Sequence, residues 1–240
     1  MIGLVALELG IVARNSTLLR LSCVGSTRGA VEETATMPKL YSQPDSGNCY
    51  KPRLLMAKLA MPFEHISISS TDGSTRKPEF LAKNPNGKVP LLEFDDGRLL
   101  AESNAILLHL AEGSRFVPED AYERALMYQW LFFEQYTHEP NIAVRRALLV
   151  YPERAKDATP ERLAATLEGG NKALLVMEHQ LQKTPYFTGS TISLADIALY
   201  AYTHEANRGG FDLSAYPSVS KWLSRVAGDD GHVPITWLGN

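Results

Sequence analysis

The chain has 240 residues, 45% hydrophobic and 21% charged, with 24 Lys and Arg against 27 Asp and Glu for a net charge of −3. Such a length buries a large core without staples and suits one or two domains. The near balance of charge excludes a chain built for electrostatic nucleic-acid binding or polybasic membrane anchoring.

Two cysteines, Cys23 and Cys49, are too few for a disulfide scaffold, so a reducing, cytoplasmic setting is expected. The histidines are scattered and make no metal-ligand spacing with Cys or carboxylates, so no metal is expected, and His138 and His204 read as ordinary helix residues. No segment reaches the ~20 apolar residues of a membrane span. Residues 1–36 read as an appended extension, poorly ordered or a non-native start, with Met37 as an alternative start. The apolar opening Met1–Ala13 carries Glu8 and lacks the basic start of a secretory signal. Arg14, Arg20 and Arg28 among Ser and Thr suggest an organelle-targeting peptide, a reading ranked second.

From Met37 strands and helices alternate. Lys39–Ser42 reads as a strand, Gln43–Asn48 as a polar turn and Tyr50–Ala60 as a helix. Phe63–Ile68 alternates with period two, as a half-buried strand does. Lys77–Leu81 is a helical turn, and Asn84-Pro85-Asn86-Gly87 is a strong turn signal. Val89–Phe94 is a strand, Asp95–Arg98 a hairpin turn and Leu99–Ala101 the return strand. Ser103 then caps a helix through Leu110. The helix between the first two strands implies a parallel pair with a right-handed crossover, and the hairpin makes the sheet mixed.

Residues 113–120 carry the Gly, Pro and charge of a linker between a domain over 37–112 and one over 121–240. The second is helical: Tyr122–Val150 with a bend near Pro140, Pro160–Gln182, Ser193–Ala206 and Val219–Ala227. Ser193-Leu194-Ala195-Asp196 has the form of a capping box, with Ile192 and Ile197 as its hydrophobic staple, and reads as structural.

Three features carry chemistry. Ser46-Gly47-Asn48-Cys49 opens the first helix, where free amides and the dipole favour an anion, a thiolate included. The bland reading is a simple cap by Ser46 or Asn48. Val89-Pro90 begins a strand, and a cis bond there would leave the Val89 backbone to pair with an extended peptide. Glu102-Ser103 sits at another helix start, where one residue can meet an ammonium and the other a carboxylate; a cap beside a solvated acid is the alternative.

Asn84–Leu92, then Glu102-Ser103-Asn104-Ala105-Ile106, then the Ser193–Asp196 helix start together resemble the cytosolic glutathione S-transferase superfamily, over Lys39 to about Arg225, with similarity to its bacterial nu-, theta- and omega-like members. The resemblance implies an α/β thioredoxin-like domain with a four-stranded mixed sheet, then an all-α bundle, assembled as a homodimer. It implies glutathione as co-substrate, Val89 pairing with its cysteinyl unit ahead of a cis Pro90, and Glu102 and Ser103 holding its γ-glutamyl end. Lys77, with Lys88 as the second candidate, would meet its glycyl carboxylate. Ser46 falls where related classes carry a cysteine or threonine, so Ser46 is the expected hydroxyl donor to the thiolate, with Asn48 as second donor or orienter and Tyr41 ranked below them. A free thiol with pKa about 8.5 is only a few per cent ionised near neutrality; lowering it ~2 units needs ~2.7 kcal/mol.

Cys49 reads as the recessed, structural partner of a Cys-x-x-Cys whose first cysteine is Ser46. Tyr128, Trp130, Phe133 and Tyr136 either line the second-substrate pocket or, for most of them, form a core stripe. The expected activity is transfer of glutathione to a small hydrophobic electrophile, a detoxification chemistry. The alternatives are a glutathione-dependent disulfide reductase or peroxidase, and a non-catalytic glutathione-binding module.

Overall fold

In the computed structural model, residues 37–239 are described; the expectations for 1–36 lie outside them. Strand β1 (Lys39–Ser42) is central. It pairs in parallel with β2 (Glu64–Ser67) and antiparallel with β3 (Leu91–Glu93), which carries β4 (Leu99–Ala101) as a hairpin, giving the order β2-β1-β3-β4. Gly97, at φ +80°, supplies the left-handed residue of the hairpin turn. Strand β3 begins two residues later than the strand expected from Val89. Pro90 has no amide to give a ladder, so pairing starts beyond it.

Helix α1 (Gly47–Lys58) begins three residues before the expected Tyr50. Its N-cap is Ser46, whose hydroxyl accepts the Cys49 amide at 3.4 Å. The helix is apolar on more than one face because it serves two cores. Met56 packs with Leu40, Phe63, Leu92 and Ile106 on the sheet side. Tyr50, Leu54 and Leu55 join the core of the helical domain. The remaining α/β elements are α2 (Pro78–Leu81) and α3 (Ser103–Leu110).

The helical domain contains α4 (Ala121–Phe133), α5 (Glu139–Val150), α6 (Pro160–Leu181), α7 (Leu194–Thr203) and α8 (Pro217–Ala227). The expected bend near Pro140 takes a specific form. Residues Glu134–His138 make a π-turn in which the Glu139 amide reaches back to the Glu134 carbonyl. Pro140 cannot donate to the carbonyl four residues earlier, and the widened turn accommodates that break. At the start of α7 the Asp196 carboxylate accepts from the Ser193 amide (2.9 Å), the Ser193 hydroxyl (3.0 Å), the Phe187 amide (3.2 Å) and the Trp222 indole (2.9 Å). Asp196 therefore ties α7 to α8, a structural role. Glu178 likewise receives the Ser218 and Val219 amides at the start of α8.

The aromatic stripe divides. Trp130 is in the core, whereas Tyr128, Phe132 and Tyr136 are 38%, 74% and 88% exposed. Their spacing of four residues puts these three on a face turned away from Met127, Trp130 and Leu131. The core reading thus fails for Tyr128 and Tyr136. Among the described residues no helix is long and apolar enough to cross a membrane.

Candidate functional site

The N-termini of α1 and α3 and the turn before β3 meet the inner face of α5 around a cleft of about 320 Å³. Ser46, Asn48, Lys88, Val89, Pro90, Glu102 and Ser103 all line it. Sequence positions spread over more than fifty residues thus converge because strands β1 and β3 are neighbours. Lys77 is exposed and does not line the cleft; Arg76 does, its guanidinium donating to the Asn86 carbonyl at 3.2 Å. Tyr41 is also outside the lining, its hydroxyl bound to Glu93 at 2.7 Å.

The Val89-Pro90 peptide bond is cis. Neither the N–H nor the C=O of Val89 has a hydrogen-bond partner among the described residues. Val89 lies in the bend just ahead of β3, and open backbone groups at the rim of a cleft can pair with an extended peptide.

At α3 the structure corrects one expectation. Ser103 is the first helical residue, Glu102 holds the N-cap position, and no side chain caps the helix. The Ser103 hydroxyl points inward instead, donating to the Asn48 side-chain oxygen at 3.3 Å and receiving Lys51 Nζ at 3.3 Å. The first amides of α3 are left for an anion. Glu102 has φ +70°, a left-handed conformation that costs a non-glycine residue roughly 1 kcal/mol or more. Residues held in such sparsely populated conformations cluster at ligand-binding and catalytic sites.

Asn48 is the hub of a buried polar network that sequence reading missed. Its side-chain oxygen accepts Lys51 Nζ at 2.8 Å and Gln135 at 3.4 Å, and its amide donates to Glu139 at 3.3 Å. Lys51, from α1, forms an ion pair with Glu134 of the π-turn at 2.7 Å, both side chains fully buried. Asn104 and Gln135 also donate to Glu134, at 3.2 and 2.8 Å. These bonds cross from the α/β domain to the helical one, so the orientation of Asn48 is set by both. Burial raises the Glu139 carboxyl; the Lys51 ammonium pulls against it without reversing the direction.

Tyr202, from α7, is a second residue that sequence reading missed. Its ring lies against the first turn of α1: a Cβ on Gly47 would stand 2.6 Å from it, so glycine is required there. Burial drives the Tyr202 hydroxyl well above its ordinary range, while Ser46 and the Asn48 amide favour its ionised form. Cys49, by contrast, is fully buried, accepts the Gln43 amide at 3.3 Å, and is pushed up by burial. It is an inert thiol, in keeping with a recessed position.

The loop ahead of Ser46 is clamped from the helical side. Arg146 donates to Asp45 Oδ1 at 2.6 Å and to the Asp45 carbonyl at 3.1 Å, and the Tyr151 hydroxyl reaches the same carbonyl at 2.8 Å. Burial raises the Asp45 carboxyl, but Arg208 and Arg146 outweigh it and hold it below its ordinary value. His138, beneath the cleft, bonds Thr203 at 2.9 Å, and burial pushes it down to about 4. Among the described residues no group of three His, Cys, Asp or Glu is placed to hold a metal ion.

Comparison with known proteins places this geometry. Family models for the glutathione S-transferase N-terminal and C-terminal domains match residues 37–112 and 128–230. A glutathione S-transferase structure from Pseudomonas fluorescens is 48% identical, covering 83% of this chain and 99% of its own, with a TM-score of 0.80. Glutathione S-transferase F13 of Arabidopsis thaliana is 33% identical, over 69% of this chain and 78% of its own. The disulfide-bond oxidoreductase YfcG of Escherichia coli is 29% identical, over 79% and 90%. With both domain models matched in order over most of its length, the chain belongs to the glutathione S-transferase family.

Proposed function

We propose that the protein binds glutathione as co-substrate and transfers it, as thiolate, to an electrophilic carbon. The observation that carries this reading is the open backbone of Val89, flanked by the starts of α1 and α3. The cysteinyl unit pairs with Val89, Glu102 meets the γ-glutamyl ammonium, and the first amides of α3 meet its carboxylate. Arg76 and Lys88 serve the glycyl carboxylate; Arg76, which lines the cleft, takes the place expected of Lys77.

The sulfur then faces Ser46 and Asn48. A hydroxyl donor, an amide held by Lys51, Ser103 and Glu139, and the positive end of α1 together favour thiolate over thiol. Displacement forms the C–S bond as the leaving group departs with its electron pair. The outward stripe of Tyr128, Phe132 and Tyr136 serves as a homodimer contact, and the protein works in the cytoplasm.

One observation favours a second reading, glutathione-dependent disulfide reduction. Cys49 is buried and no cysteine of the described residues lines the cleft, so thiol exchange among them runs on glutathione sulfur, as suits a relative named as a disulfide-bond oxidoreductase. Titration calorimetry with glutathione, followed by chloronitroarene conjugation and mixed-disulfide reduction assays, tests both. Binding in the range of about 1 μM to 1 mM is expected, with conjugation as the faster activity. Faster disulfide reduction moves the assignment to the second reading; absence of binding overturns both.

A further inference from the structure

The helical wall of the cleft bears charge that glutathione does not use. On α5, Val144, Ala147 and Leu148 lie three and four residues apart and make one apolar face on the cleft. Arg154, in the turn after α5, and Arg162, in the first turn of α6, line the same cleft beyond that face. Among the described residues Arg154 has only Asp157 as an ion partner, at 3.9 Å. The Arg162 guanidinium has none among the described residues.

The other charged residues that line this part of the cleft have their own partners or places. Arg146 and Arg208 are engaged by Asp45 and Glu205. Glu102 lies across the cleft at the start of α3, and Glu139 lies against Asn48, raised by burial. Two guanidiniums beyond a short apolar face match an elongated molecule, apolar in its middle and anionic at its end.

We infer that the second substrate is a carboxylate-bearing aromatic electrophile, its ring on the Val144–Ala147–Leu148 face and its acid group paired with Arg154 and Arg162. This narrows the hydrophobic electrophile expected from sequence and rests on glutathione occupying the opposite wall. With 4-chloro-3,5-dinitrobenzoate, the glutathione thiolate attacks the chlorine-bearing carbon. A C–S bond forms, the C–Cl bond breaks with its electrons leaving on chloride, and the thiol proton goes to solvent.

The test compares this acid with its methyl ester in the full chain and in R154Q/R162Q. Both side chains are exposed, so the variant should fold, and its melting curve checks this. The acid-to-ester ratio of kcat/KM is expected to fall about tenfold or more, with the ester and the KM for glutathione within about twofold of the parent. An unchanged ratio overturns the inference. A second measurement does not depend on turnover: 3,5-dinitrobenzoate, which has no leaving group, is titrated into protein saturated with S-methylglutathione. Binding weakened in R154Q/R162Q supports the inference; no binding, or equal binding, overturns it. If S-methylglutathione does not bind while arginine-dependent dinitrobenzoate binding remains, the glutathione reading falls and the anion site stands.

Discussion

The two walls of the cleft are built by different means. The α/β wall presents open backbone, at Val89 and at the starts of α1 and α3, beside the side chains of Ser46, Asn48 and Glu102. The helical wall presents side chains: Gln135 from the π-turn, Glu139 and Arg146 from α5, and Tyr202 from α7, with the buried Glu134 behind them. Backbone groups keep their place under substitution of neighbouring side chains, which suits a wall for an unvarying ligand. A side-chain wall changes with each substitution, which suits the variable partner. The Lys51–Glu134 pair joins the two, so Asn48 takes its orientation from both sides.

Breaking that joint should have the largest effect. Glu134→Gln leaves the Lys51 ammonium buried without its countercharge, at a cost of about 3–5 kcal/mol. Denaturant unfolding should report that loss; under about 1 kcal/mol would mean the walls are not coupled through this pair.

Acid should weaken the helical side next. His138, held at about 4 in the folded protein against an ordinary 6.5, is depressed by folding, so its contribution is full above 6.5. That contribution is lost as pH falls from 6.5 through 4, by about 3 kcal/mol in all. Carboxylates such as Asp45 add to acid destabilisation at lower pH. Comparing stability at pH 7 and pH 4.5 in the parent and in His138→Gln isolates the histidine: the variant should have the shallower slope.

On the α/β wall, Glu102→Ala should weaken glutathione binding about 10- to 100-fold, the range of a lost charge-assisted bond. Calorimetry reads this directly, and unchanged affinity would displace the γ-glutamyl group from α3. Ser46→Ala should lower kcat about tenfold and move the pH profile of kcat/KM upward, whereas Cys49→Ala keeps both. Equal losses in the two variants would shift the sulfur site away from Ser46. The smallest effect is expected for Tyr202→Phe, a loss of about threefold in kcat, because its hydroxyl acts only through Ser46 and the Asn48 amide.

Local grammar made the α/β wall legible. The Asn-Pro-Asn-Gly turn, the proline after Val89, the Asp-Gly hairpin and a serine before a helix each signal their conformation within a few residues. The start of α3 was misassigned by one position because Glu102 adopts a left-handed conformation that its residue type does not announce. The helical wall was legible only as helices. Trp130 and Tyr128 look alike in sequence, yet one is in the core and the other is 38% exposed, since helix rotation is decided by packing.

The sequence alone determined the order of strands and helices, an α/β part followed by a helical one, and the turns that frame the cleft, because each rests on local propensity and short-range turn chemistry. Tertiary structure alone decided that Lys51 meets Glu134, that Arg76 rather than Lys77 lines the cleft, and that Tyr202 packs on Gly47. Those pairings join residues distant in the chain or separate adjacent ones by a rotation about the backbone. Only packing of the whole molecule fixes such choices.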